Sequence, residues 1–290
     1  MKRAPLLAVL ALIGACRRDD APLRATLGAD PTSSLRVRLL RSADRGATWS
    51  IDMAPLAHGV SSLHACTFEG EVWVPGLVDR RTIPWWETAF PLPFVDSFRS
   101  FDLATWGAHR IPLEGDTTGG VDPACVVGPK GLEMWFAETE GIDNDPAQGN
   151  LVAKIWRSHW IGGRWGNSEV VYSGRGLVDP APIYIDGALR LFLNHNGHHI
   201  VELVNGQIVD RWENATVPHA VDLGDRRWLV AQAPRNGAML PFAREILPES
   251  LGPPFPINID SLLRTCESPS MTTLGPTWLL FCVQTDGQRQ

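Results

Sequence analysis

At 290 residues, with 26 basic against 32 acidic side chains and a formal net charge of −6, the chain lacks the basic surface with which nucleic-acid binders displace counterions. Its 23 prolines and 27 glycines leave few uninterrupted windows for helices, and 44% hydrophobic residues are enough for a substantial core. The sequence carries no phosphate-binding glycine loop, no His-Glu-x-x-His metal motif and no serine nucleophile elbow.

Taken in chain order, the first element is a signal. Lys2 and Arg3 precede an apolar stretch from Ala4 to Ile13, too short to span a bilayer but of signal-peptide length. It ends in Ile13-Gly14-Ala15-Cys16, which resembles the bacterial lipobox and implies cleavage before Cys16 and a lipid on its sulfur. The plainer reading is a secretory signal cut after Ala15, with Cys16 incidental. Arg17 stands where an inner-membrane retention signal usually shows Asp, so the expected location is the outer membrane of a Gram-negative bacterium, on its periplasmic or surface face. Removal of residues 1–15 takes Lys2 and Arg3 with it and moves the net charge from −6 to −8, leaving no second apolar run. Residues 16–34, charged and small, read as a flexible tether, and 35–290 as the folded domain.

The domain opens with Leu35 to Ile51, which reads as an outer β-hairpin. A repeat follows. Five times a polar residue leads into a short apolar strand, a turn and a second strand rich in aromatics. The leads are His64, Asp122, Asp179, His219 and Glu267, which are 58, 57, 40 and 48 residues apart, close to the length of one propeller blade. Outer hairpins are predicted from Phe98 to Pro112, Val152 to Tyr172, His199 to Trp212 and Leu240 to Ile259. The fifth is the N-terminal one. The count balances for an all-β, five-bladed β-propeller in which an N-terminal outer hairpin completes the C-terminal blade and removes the free sheet edges. Trp73, Trp135, Trp228 and Trp278 fall in second strands, and Trp49, Trp106, Trp165 and Trp212 at third-to-fourth strand turns, positions that pack blade against blade. In an oxidising compartment Cys266 and Cys282, flanking a hairpin near Leu274-Gly275, are expected to bridge. Cys66 and Cys125 read as buried thiols or as a second bridge between neighbouring blades.

Blade symmetry then predicts that the five leads converge on the axis at one face, as a ring of three carboxylates and two imidazoles. The same residues could instead cap strand ends. The loops joining second to third strands lie on that face. They carry Arg80, Arg81, Trp85, Trp86 and Glu87 in the first blade, and Glu138, Glu140, Asp143 and Asp145 in the second. The third carries Asn194-His195-Asn196-Gly197-His198 and the fourth Arg235. Flat aromatics beside acids suit a sugar ring or a docked protein. Candidate ligand contacts are therefore Trp85, Trp86, His64, His219, His195 and Arg235, with a glycan or protein ligand at the mouth and the membrane engaged through the N-terminal lipid.

Two family resemblances bear on this reading. Ser42-Ala-Asp-Arg-Gly-Ala-Thr-Trp49 resembles the Asp box of sialidase-type propellers, with Ser100-Phe-Asp-Leu-Ala-Thr-Trp106 as a worn copy. With only Tyr172 and Tyr184 as tyrosines and no arginine triad, a true sialidase is not expected. Val121-Asp122-Pro123, Val178-Asp179-Pro180 and Glu267-Ser268-Pro269 resemble the strand-opening signatures of five-bladed glycoside hydrolases such as arabinanases, β-xylosidases and invertases. That resemblance implies Asp122 as base, Asp179 as modulator of a neighbour's pKa and Glu267 as acid. In that family the two Asp stand about two blades apart and the Glu one blade later, whereas here the gaps are 57 and 88 residues and His64 opens the first blade. The resemblance also implies a Ca²⁺ or other divalent ion near the axis, for which His64 and His219 are the candidate ligands; no metal is required by the sequence itself. The function so read is an exported lipoprotein propeller acting on a glycan as a glycoside hydrolase. The alternative is a non-catalytic carbohydrate- or protein-binding propeller.

Overall fold

The computed structural model describes residues 34–78, 95–111, 121–139, 152–166 and 168–285. The signal, Cys16 and nearly all of the tether lie outside these residues, as do Arg80, Arg81, Trp85, Trp86, Glu87, Glu140, Asp143 and Asp145. Every regular element described is a strand. The chain starts in the last blade with β1 (Leu35–Ser42), β2 (Ser50–Ile51) and β3 (Ala57–His58). The first blade holds β4 (Val60–Ser61), β5 (Cys66–Phe68), β6 (Glu71–Val78), β7 (Val95–Ser100) and β8 (Gly107–Ile111). The second holds β9 (Val121–Gly128), β10 (Gly131–Thr139), β11 (Val152–Ile161), β12 (Arg164–Trp165) and β13 (Glu169–Arg175). The third runs β14 (Leu177–Ile185), β15 (Ala188–His195), β16 (His199–Val204) and β17 (Gln207–Glu213). The fourth runs β18 (Thr216–Asp222), β19 (Arg227–Arg235), β20 (Ala238–Glu245) and β21 (Phe255–Pro256). The fifth begins with β22 (Glu267–Leu274) and β23 (Thr277–Thr285), and β1 then pairs with β23 from Leu35↔Thr285 to Ser42↔Trp278. The five sheets are a five-bladed propeller, closed by the N-terminal hairpin. Leu35 and Thr285 both end at the mouth, the face from which β9, β14 and β22 set out.

Alternation along the strands builds the packing between blades. Val37 and Leu39 of β1 pack with Leu279, Phe281 and Val283 of β23 and with Val72 and Val74 of the first blade. Trp228 meets Trp278 edge-on at 5.0 Å across the fourth and fifth blades, and Trp73 meets Trp165 at 6.2 Å across the first and second. Such edge-to-face pairs match the ring quadrupoles and add to the area buried. The expected Cys266–Cys282 bridge lies within the fifth blade, and of the two readings of Cys66 and Cys125 the bridge is the one found, running from β5 to β9. The turns after β1 and β7 are closed alike. Asp44 Oδ1 accepts from the Thr48 amide at 2.8 Å, and Asp102 Oδ1 from the amides of Ala104 and Thr105 at 2.9 and 2.8 Å. The Thr48 hydroxyl, which donates to Asp44 Oδ2 at 2.6 Å, and then the Thr48 amide and Ser42 Oγ hold Asp44 down to about 2.

One backbone feature sets the register of the mouth. Ser62, Asp122, Asp179, Val217 and Ser268 occupy the same place in the five blades, and each is a non-glycine residue with φ between 46° and 53°. Directly after it the ladder to the second strand is interrupted, as at Val178/Ala181, Thr216/His219 and Glu267/Ser270. In the first blade the same break separates β4 from β5. Proline follows in four of the five, at Pro123, Pro180, Pro218 and Pro269, where the missing N–H costs no ladder bond. A left-handed residue is disfavoured by about 1–3 kcal/mol and persists because the pairing on both sides fixes it.

Candidate functional site

The left-handed turn aims the side chains of Asp122 and Asp179 at each other from adjacent blades. The two carboxyls line one pocket, and each acts on the other directly. Ser62 Oγ donates to Asp122 Oδ1 at 2.9 Å, and Asn194 Nδ2 to Asp179 Oδ2 at 2.8 Å. Two carboxylates this close cannot both be ionised, so the pair shares a proton. Desolvation pushes both residues up; for Asp179 the charge of Asp122 adds to it and carries it well above the usual carboxylate range. Asp122 is restrained by the bonds it accepts from Ser62 and from Asp179, so the proton resides on Asp179. The pocket around the pair is lined by Ser62, His64, Asp122, Asp179 and Val217 among others, and its free volume of about 10 Å³ is room for a single water.

The imidazoles belong to a second layer. His64 and His219 had been expected to share the ring position of Asp122, but they follow the left-handed residue by two and sit one step down the channel. Their counterparts in the other blades are Ala124, Ala181 and Ser270, whose small side chains leave the axis to the two rings. The ring centroids are 4.0 Å apart. His219 Nε2 donates to the Met271 carbonyl at 2.6 Å, and its Nδ1 faces Ser270 Oγ at 3.4 Å. Neither ring nitrogen of His64 makes a well-formed hydrogen bond; the backbone of Cys125 and of His64 itself are the nearest polar groups. Burial lowers both imidazoles, His219 to about 4 and His64 well below its ordinary value, with the charge of His219 acting on His64 in the same direction.

The remaining candidates separate from this centre. Glu267 precedes the left-handed Ser268 by one residue and does not line the pocket of the Asp pair. Its Oε1 instead accepts from Thr285 Oγ1 at 3.3 Å. Asp122 and Asp179 thus share one pocket, and Glu267 stands one residue before the equivalent position of the fifth blade. Arg235 is paired with Asp260 at 3.0 Å. Glu138, expected on an open loop, is buried and accepts from Trp156 Nε1 at 2.8 Å. His195 lies on the rim beside His199. Trp85 and Trp86 are outside the described residues. Ser62 and Asn194, which hold the Asp pair, were not singled out in the sequence, although Asn194 lies in the loop named there.

An axial Ca²⁺ is the metal the fold family implies, and the residues do not fit it. Ca²⁺ takes six to eight oxygens. Here the two carboxyls are engaged with each other, the imidazoles are buried one layer below, and among the described residues no group of three His, Cys, Asp or Glu is arranged to hold an ion.

The titrating groups give opposite flanks to the stability profile. Asp179, raised in the fold above its ordinary 3.8, stabilises fully below that value and loses the contribution as pH rises through its folded pKa. His219, lowered from 6.5 to about 4, stabilises above 6.5 and loses it as pH falls through 4. Asp179→Asn, which keeps a donor beside Asp122, is expected to flatten the alkaline flank alone and to unfold no more easily than wild type at pH 8. Urea denaturation from pH 4 to 8 checks this, and parallel profiles for the two proteins would refute the shared proton.

No protein-family model matches the chain, and no curated protein matches it in sequence. Solved structures do match in fold. A thermostable family-43 glycoside hydrolase aligns over 79% of this chain and 93% of its own at 10% identity, with a TM-score of 0.52. A family-43 protein of Bacillus licheniformis aligns over 79% of this chain and 50% of its own at 11% identity, with a TM-score of 0.51. A protein of unknown function from Dyadobacter fermentans aligns over 78% and 95% at 12% identity, with a TM-score of 0.50. At these identities the likeness is one of architecture alone.

Proposed function

We propose that the chain is an exported, lipid-anchored propeller that binds a neutral glycan at its mouth and does not cleave it. The observation that carries this reading is the proton-sharing Asp122–Asp179 pair with Glu267 outside its pocket. Glycoside hydrolysis needs an acid and a base on either side of the scissile bond, about 5–9.5 Å apart. The carboxyl that shares the pocket of the base candidate Asp122 is Asp179, and the acid candidate Glu267 accepts from Thr285 instead. An ionised and a protonated carboxyl side by side instead offer an acceptor and a donor to one hydroxyl reaching in from the mouth, the size of group that the pocket of about 10 Å³ admits. Their shared negative charge disfavours acidic sugars. His195 would add a contact at the rim.

Hydrolysis is the second reading, favoured by the contact between Asp122 and Asp179, the relation the family resemblance expects of base and modulator. Calorimetry of the full-length chain in detergent against neutral oligosaccharides, with a parallel assay for released reducing ends, separates the two. Binding without release is expected, weakened about tenfold by Asp122→Asn, as for loss of a charged hydrogen bond, and unchanged by Glu267→Gln. Sugar release that Glu267→Gln abolishes would overturn the binding reading in favour of hydrolysis.

A further inference from the structure

We propose that His195 and His199 form a binding site for a divalent transition-metal ion of tetragonal preference, Cu²⁺ foremost, on the rim of the third blade. The two residues are direct cross-strand partners at the mouth end of β15 and β16. The turn between them has Asn196 at φ 55° and Gly197 at φ 68°, the Asn-Gly pattern of a tight hairpin, and the His198 amide donates to the His195 carbonyl at 3.2 Å. This places His195 Nδ1 and His199 Nε2 2.8 Å apart, with the ring planes at 81°.

A shared ion would stand about 2.0 Å from each nitrogen, and Cu²⁺ heads the affinity order of divalent ions for such nitrogen donors. The ion replaces the proton the two nitrogens share, and the rings turn on their side-chain torsions to direct both lone pairs at it.

The surroundings support a ligating pair. His199 Nδ1, the nitrogen facing away from His195, lies 3.9 Å from the carboxylate of Glu213, its cross-strand partner on β17. A carboxylate behind a ligating imidazole fixes its orientation and raises its basicity. Arg211 stands 3.7 Å from Glu213 and is the one charge described here that opposes a cation. The hairpin is anchored: the Asn196 amide donates to the Gly176 carbonyl at 2.8 Å, and Asn196 Oδ1 occupies the space a Cβ on Gly176 would fill. Both histidines keep some exposed surface, which gives an ion access. Among the described residues no third His, Cys, Asp or Glu completes the set, so the remaining positions fall to water or a ligand oxygen.

The test uses the full-length chain without a histidine tag, stripped with a chelator and titrated with Cu²⁺ against glycine as competitor. One equivalent is expected, with the electron paramagnetic resonance of a tetragonal, nitrogen-ligated Cu²⁺ and a rise in Tm on loading. His195→Gln and His199→Gln should each weaken binding about tenfold or more and remove the Tm rise, while His198→Gln stays within about twofold. Absence of a stoichiometric site, or wild-type affinity in both His195→Gln and His199→Gln, overturns the proposal. Circular dichroism of each variant confirms that the fold is retained. The result is independent of whether the mouth takes a sugar.

Discussion

Replacing Cys66 and Cys125 together by alanine is expected to lower the stability of the propeller by about 4 kcal/mol, and replacing Cys266 and Cys282 by about 3 kcal/mol. The order follows from the chain each bridge closes. Cys66–Cys125 spans 59 residues and Cys266–Cys282 spans 16, and the entropy removed from the unfolded chain grows with the logarithm of that length. Topology adds to the contrast. The longer bridge fastens the innermost strands of two blades that otherwise meet only through side chains, among them Trp73 and Met134 of their shared cluster. The shorter one reinforces a hairpin whose strands are already paired. Urea unfolding of the two double variants under non-reducing conditions measures both effects, and a larger loss for the Cys266/Cys282 variant would contradict the account.

Arg190→Met is expected to cost about 3–5 kcal/mol, because it strands a buried carboxylate. Arg190 Nε and Nη2 donate to the two carboxylate oxygens of Glu202 at 2.5 and 2.7 Å, a fork that matches the acid in plane. Nη1 reaches across to the Leu247 carbonyl of the fourth blade. The side chains of Arg190 and Glu202 keep only 10% and 5% exposure, so water cannot compensate a missing partner. The double variant Arg190→Met, Glu202→Met removes both charges at once and is expected to recover most of the loss. A thermal double-mutant cycle decides the matter. Additive losses would show that the pair acts as two independent packing residues.

Much of the architecture was legible because it rests on local pattern. The five inner hairpins, the closing strand at Leu35 and the tryptophans at blade contacts follow from alternation along each strand and the turn residues between. The mouth was legible only in part. Asp122-Pro123 and Asp179-Pro180 mark the left-handed position directly, and the pairing of those two residues follows from it. His64 and His219 misled because the ladder break after that position displaces two residues, and a polar residue before an apolar run looks the same on either side of it. In the first blade Ser62 fills the position without a following proline, so nothing marked it. Glu267-Ser268-Pro269 already held the discrepancy: the proline follows Ser268, which puts the serine in the ring and the glutamate one residue outside.

The closing strand has a bearing on how the molecule is held. The polypeptide enters the propeller at Leu35, opposite Thr285, on the same side as Asp122 and Asp179. Any tether formed by residues 16–34 would therefore leave from the mouth side, and with a root-mean-square reach of about 25 Å it would let the mouth turn toward or away from whatever holds Cys16.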